Sequence, residues 1–126
     1  MELDFLTFSH DGKERKARRV NFSDYSAIRE RIRRERVAAL GPRTIPETTA
    51  KLIAQPIGRE EQMEFMLSEE GQGLLLYRCV HEVDETFNMA EAERMVLDSD
   101  PFIVRLLEES KIISPPPQTD SSGTSS

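Results

Sequence analysis

The chain has 126 residues, room for one domain but not for two independent cores. Its apolar share is 37% against 32% charged, with no Trp and a mean hydropathy of −0.52. The core must therefore come from aliphatic side chains, Met and a few Phe, a poor basis for a deep apolar substrate pocket. The net charge of −6 is uneven: residues 1–43 carry 11 Lys and Arg against 7 Asp and Glu, whereas residues 44–126 carry 6 against 16. A basic head on an acidic body can steer association, orient a partner or pair with itself, and it argues against the whole chain being a nucleic-acid binder.

Residues 2–9 alternate as an extended strand, with Leu3, Phe5 and Thr7 on one side and Leu6 and Phe8 on the other. His10-Asp11-Gly12-Lys13 contains the Asp-Gly hairpin signal, and residues 14–22 return as a charged edge strand. Ser23-Asp24 reads as a helix start, with Ser23 as N-cap and an acid in the first turn. Tyr25, Ile28, Ile32 and Ala39 then form an amphipathic stripe that Gly41-Pro42 ends.

Thr44-Ile45-Pro46-Glu47 opens a second, short helix by the same capping logic, carrying Leu52 and Ile53 inward before Gln55-Pro56 stops it. Gly58 to Ser68 follows as a helix with Met63, Met66 and Leu67 on its inner face. Gly71 and Gly73 interrupt the pattern. The dense apolar run Leu74 to Val83 then reads as the most buried element, a helix, although a strand over residues 74–80 fits the same run. After an Asp-Glu-Thr-Phe turn, Asn88 and Glu91 stand at capping-box spacing before an amphipathic helix through Ala92, Met95 and Val96. Asp100-Pro101 caps a last helix with Phe102, Ile103, Leu106 and Leu107 inside and Ile113 near its end. Residues 114–126, Ser/Pro-rich and without apolar side chains other than proline, are expected to be disordered. The expected fold is thus mainly α with a small N-terminal β-hairpin: one domain over 1–113 (hairpin 1–22, helical 23–113), a compact bundle of short helices, then the tail.

Candidate chemistry is sparse. Cys79 and His81 are two residues apart, and positions i and i+2 of a helix do not face each other, so they make a poor nucleophile–base pair. His81 with Glu85, at i and i+4, is better placed as a surface ion pair. Two His and one Cys fall short of a zinc-ligand pattern, and the Glu pairs lack the spacing of a calcium loop. No catalytic residue, metal or cofactor is expected. A single cysteine makes no internal disulfide, the N-terminus lacks a signal-peptide pattern, and no apolar run approaches the ~20 residues of a membrane helix, so a cytoplasmic protein without a membrane partner is expected. The strongest functional feature is the basic run 29–36, which places Arg29, Arg33 and Arg36 on roughly one helical face. Without base-reading polar groups or stacking aromatics beside it, a protein-docking role is favoured over nucleic acid, with an uncommitted solvated face as the bland alternative.

The order of elements resembles the small tail assembly chaperones of tailed phages and prophages. The likeness rests on "DGKE", "RRVNFSDYSAIRERI" and "GLLLYRCVHEVDETFNMAEAERMV", with Asp84, Phe87, Asn88, Glu91 and Ala92 matching the junction after a Leu-rich helix. The resemblance implies a non-catalytic protein of the bacterial host cytoplasm that masks a tape-measure-type client during tail assembly. Met63, Met66 and Leu67, with the Leu74–Val80 helix, would cover the client if exposed, the alternative being that this stripe is ordinary core, and Arg29, Arg33 and Arg36 would orient it. A second likeness, Ala92 and Asp100-Pro101-Phe102 before "IVRLLEESKIISPP", is to YCII-related proteins; it implies a small ferredoxin-like enzyme in which this stretch leads to a final strand. A nucleic-acid accessory role for the Arg29–Arg36 helix is the third alternative.

Overall fold

A computed structural model describes residues 5–41 and 45–113. The expectations for Leu3, for Thr44 as a cap and for the 114–126 tail lie outside those residues. Among the described residues the protein is a hairpin, β1 (Leu6–His10) and β2 (Lys13–Ala17), followed by six helices: α1 (Phe22–Ala38), α2 (Pro46–Ala54), α3 (Arg59–Leu67), α4 (Glu69–His81), α5 (Met89–Leu97) and α6 (Pro101–Glu109).

Asp11 and Gly12 both take positive φ, 52° and 75°, the two-residue turn that matches the twist of antiparallel strands. The register pairs Leu6 with Ala17 and Phe8 with Arg15, and these four side chains form the buried face. β2 stops at Ala17, short of the expected strand to residue 22. Beyond it the Arg18 amide donates to the Cys79 carbonyl at 3.0 Å, occupying an acceptor that the last turn of α4 leaves open. Phe8 stacks on Phe102 with centroids 4.0 Å apart, and Arg105 donates to the Thr7 carbonyl at 2.6 Å, so the hairpin is fastened to α6 as well.

The α1 cap is Asn21 and not Ser23: Asn21 Oδ1 accepts from the Ser23 amide at 3.0 Å, and Asp24 Oδ2 accepts from the Asn21 amide at 2.9 Å. Ile28 and Ile32 are buried and Tyr25 is half-buried, whereas Ala39 falls past the helix end and is exposed. Leu52 and Ile53 do not turn inward as expected; Leu52 is half-buried, Ile53 is 44% exposed, and α2 has no buried residue.

Gly71 and Gly73 lie inside α4 and do not interrupt it. Ser68 ends α3 and begins α4, donating to the Phe65 carbonyl at 2.6 Å and accepting from the Gly71 amide at 3.1 Å. At this one-residue corner a Cβ on Gly71 would sit 1.9 Å from the Phe65 oxygen, so only glycine fits. α4 is the central element, helical over the run that could also have been a strand. Leu75, Leu76, Cys79 and Val80 are buried, and the helix touches α1, α3, α5, α6 and β2.

Asn88 caps α5 by accepting from the Glu91 amide at 2.9 Å. The Glu91 carboxylate does not complete the capping box, because Arg15 takes it. Asp100 caps α6, and Pro101-Phe102 opens that helix where the YCII likeness implied an approach to a strand. With two strands and six helices among the described residues, the architecture is not ferredoxin-like. α5 and α6 end alike. Ser99 and Lys111 take φ of 53° and 62°, while Asp100 and Ile112 donate back to Met95 and Leu107 at 3.0 and 2.9 Å, closing both helices with the six-to-one bond of a Schellman motif.

The glycine contrast gives a direct check. Gly71→Ala should destabilise the protein by about 2 kcal/mol or more in urea unfolding, because backbone cannot yield cheaply. Gly73→Ala, whose Cβ would meet nothing closer than Val96 Cγ2 at 3.9 Å, should stabilise it by about 0.5–1 kcal/mol.

Candidate functional site

The basic head is largely consumed inside the molecule. Asp24, in the first turn of α1, is fully buried. Arg18 binds it with both terminal nitrogens at 2.7 and 3.0 Å, and Arg78 Nε reaches it from α4 at 2.7 Å. Burial by itself would push the Asp24 carboxyl up; hydrogen bonds from Arg18, the Asn21 amide and Arg78 outweigh it and hold the carboxyl below its ordinary value. The bond to Asp24, and then that to Glu82, raise Arg18 against the cost of its own burial. Cys79 lies against this cluster, its thiol pushed up to about 12 first by burial and then by Asp24. It is a buried, unreactive sulfhydryl.

A second cation is sunk beside α5. Arg15, 5% exposed, meets Asp84 at 2.6 Å, Thr86 Oγ1 at 3.1 Å and Glu91 at 3.2 Å, with its guanidinium 5.3 Å from the Phe87 ring centre. Hydrogen bonds from the Thr86 hydroxyl and amide, then from Arg15, hold Asp84 below its ordinary value. Arg18 also pairs with Glu82 at 2.7 Å and Arg19 with Glu109 at 3.1 Å. These partners carry no obvious sequence signal. The available clue was Asn21 with Asp24 at box spacing, which also points to an acid held at a helix start.

The predicted docking residues do not form one surface. Arg36 is bound to the Leu52, Gln55 and Pro56 carbonyls at 3.4, 2.8 and 3.4 Å and to Glu61 at 2.6 Å, so it ties the α2–α3 connection to α1. Arg29 donates to Gln62 at 3.2 Å and lies 5.9 Å from the centre of the exposed Phe22 ring. Met66 is fully buried core and cannot meet a client; Met63 is half-buried against that core. Of the six, Leu67 is 41% exposed, and Arg33, half-buried, has no side-chain hydrogen bond or ion pair among the described residues. On α4, Leu75, Leu76, Cys79 and Val80 are core, so that helix does not offer the apolar face the chaperone likeness implied.

Cys79 and His81 are not brought together. The thiol faces Asp24, whereas the His81 ring stacks on Tyr77 at 4.8 Å and its Nδ1 donates to the Phe87 carbonyl at 2.8 Å. The expected His81–Glu85 pair fails because α4 ends at His81, leaving Glu85 off its face. An open cleft of about 470 Å³ between α1 and α3 is lined by Glu35, Glu61, Glu64 and Glu70 with Arg36. A hydrogen bond to Glu70 raises Glu35, while Glu70, which also pairs with Arg31, is lowered by the same contact. Among the described residues no group of three or more His, Cys, Asp or Glu is placed to hold a metal ion, and no helix is long and apolar enough to cross a membrane.

An open apolar groove lies between α1 and α2. Val37, Ala38 and Ile53 line it, with Glu30, Arg33 and Arg34 alongside. Comparison with family models, curated proteins and solved structures finds no match to this chain.

Two measurements check the buried cluster. Asp24 and Asp84 are depressed acids, so their contribution is complete above about pH 4 and is lost as the pH falls through the folded-state values. Asp24→Asn should cost about 3 kcal/mol at pH 7, by removing the buried counter-charge shared by Arg18 and Arg78, and should flatten the acid limb of the stability curve. Cys79 should resist a thiol reagent in the native protein and react at the unfolding rate; prompt modification would contradict its burial.

Proposed function

We propose that the protein is a non-catalytic binding protein whose partner is another polypeptide. The observation that carries this reading is α2, which has no buried residue and leaves Ile53 44% exposed, with Ile45 before it 57% exposed. An amphipathic helix ordinarily gains its stability by burying its apolar face, so one that keeps that face open is suited to completion by another chain. Exposed Leu67, Leu97 and Val104 add further apolar contact area.

The resemblance to tail assembly chaperones gives the proposal its specific form: masking a tape-measure-type client during tail assembly. The residues that carry the likeness all act in packing and capping. Asp84 anchors Arg15, Phe87 is fully buried, Asn88 caps α5, and Ala92 is buried against the core. Such a junction builds a scaffold and supplies no reacting group, which supports adhesion over catalysis. The client-facing surface moves from Met66 and α4, which are core, to α2 and the exposed leucines.

Co-expression with a long helical tape-measure-type protein as client provides the test. The client should shift from the insoluble to the soluble fraction and co-purify with this chain. Ile53→Glu, on an exposed face, should abolish that rescue while leaving the melting temperature within ~2 °C. A client equally insoluble with and without the wild-type chain removes the chaperone reading.

A further inference from the structure

We infer that the α1–α2 groove is a docking site for an acidic amphipathic helix of a partner polypeptide. The inference rests on the binding-protein reading and names the chemistry of the partner. α1 carries five arginines, Arg29, Arg31, Arg33, Arg34 and Arg36. Three are engaged within the molecule: Arg29 by Gln62, Arg31 by Glu70, and Arg36 by Glu61 and the backbone that follows α2. Arg33 and Arg34 have no hydrogen bond or ion pair among the described residues, and these two flank the groove. In a protein of net charge −6 whose basic side chains so often pair inward, the unneutralised positive charge on α1 therefore stands beside an exposed apolar floor.

That combination selects an occupant. Val37, at 36% exposure, and Ile53, at 44%, provide the apolar contact in a depression of about 420 Å³, a volume suited to a few aliphatic side chains. Two helices side by side offer the ridges between which a third helix seats, with anchors at i, i+3, i+4 and i+7. Acidic side chains flanking those anchors would meet Arg33 and Arg34, and Glu30 would repel an acid placed beyond them, which sets direction. A basic partner would have its charge opposed at the groove itself.

The probe is an acetylated helical peptide of about 16 residues, with leucines at the fourth, seventh, eighth and eleventh positions, glutamates flanking them and alanine elsewhere; its twin has lysine for every glutamate. Titrated into the full-length, isotope-labelled chain, the acidic peptide should shift the amide signals of Val37, Ala38 and Ile53 and bind at least tenfold tighter than its twin. The double variant R33E/R34E, verified as folded by its melting curve, should bind the acidic peptide at least tenfold more weakly. Equal binding of the twins, shifts confined to other helices, or no binding at about 1 mM overturns the proposal. So does displacement of the acidic peptide from the groove by duplex DNA, or a homodimer in sedimentation that Ile53→Glu dissociates, since either gives the surface a different occupant. The client assay separates the two readings. If R33E/R34E still rescues a client that the wild-type chain rescues, the groove assignment fails alone; if neither chain rescues the client while the acidic peptide binds as described, the chaperone reading fails alone.

Discussion

A carboxylate with no exposed surface, Asp24, joins three parts of this molecule that are far apart in sequence. It closes the start of α1 through the Asn21 amide, takes the cation that follows the hairpin through Arg18, and draws α4 in through Arg78. A buried charge is tolerable only when it is paired and fully hydrogen-bonded, and Asp24 meets both conditions. The arrangement sets direction as well as energy: the hairpin must approach from the side where Arg18 reaches the carboxylate. The Arg18 amide then falls on the free Cys79 carbonyl. Arg15, three residues earlier, is also sunk and paired, against Asp84 and Glu91, although its buried Nε has no hydrogen-bond partner.

These two buried cations account for part of the charge asymmetry of the chain. The excess of positive charge at the N-terminus is, in large part, the complement of the acidic α4–α5 region folded against it. Charge that looks free in a linear sequence is largely paired within the fold, and the unpaired remainder among the arginines of α1 is Arg33 and Arg34. The same holds for apolar side chains. Met66 is spent on the core, whereas Ile53, on a helix that looks equally amphipathic, is not.

The sequence conveyed the architecture well, and the reasons are local. Asp11-Gly12 enforces the turn, Asn88 and Asp100 cap, and Pro46 and Pro101 occupy first helical positions where no amide is needed. Where reading failed, a tertiary contact had overridden a local signal. Gly71 looks like a helix breaker, yet it is required within a helix because α3 turns back at Ser68 and leaves no space for a Cβ. Glu91 looks like half of a capping box, but Arg15 claims it from 76 residues away. Ser23 looks like a cap, but the chain is already helical there and Asn21 does the work. The candidate surface was legible only in part: helical periodicity placed Arg29, Arg33 and Arg36 on one side of α1, but not which of them a neighbouring element would occupy.

The separation of 69 residues between Arg15 and Asp84 also bears on how the chain is made. The hairpin leaves the ribosome long before its counter-ions are synthesised, and two strands alone are marginal in water. The Arg15 guanidinium has neither Asp84 nor Glu91 to pair with until the turn after α4 and the start of α5 have emerged. The hairpin can therefore complete its packing only after two thirds of the chain has been made.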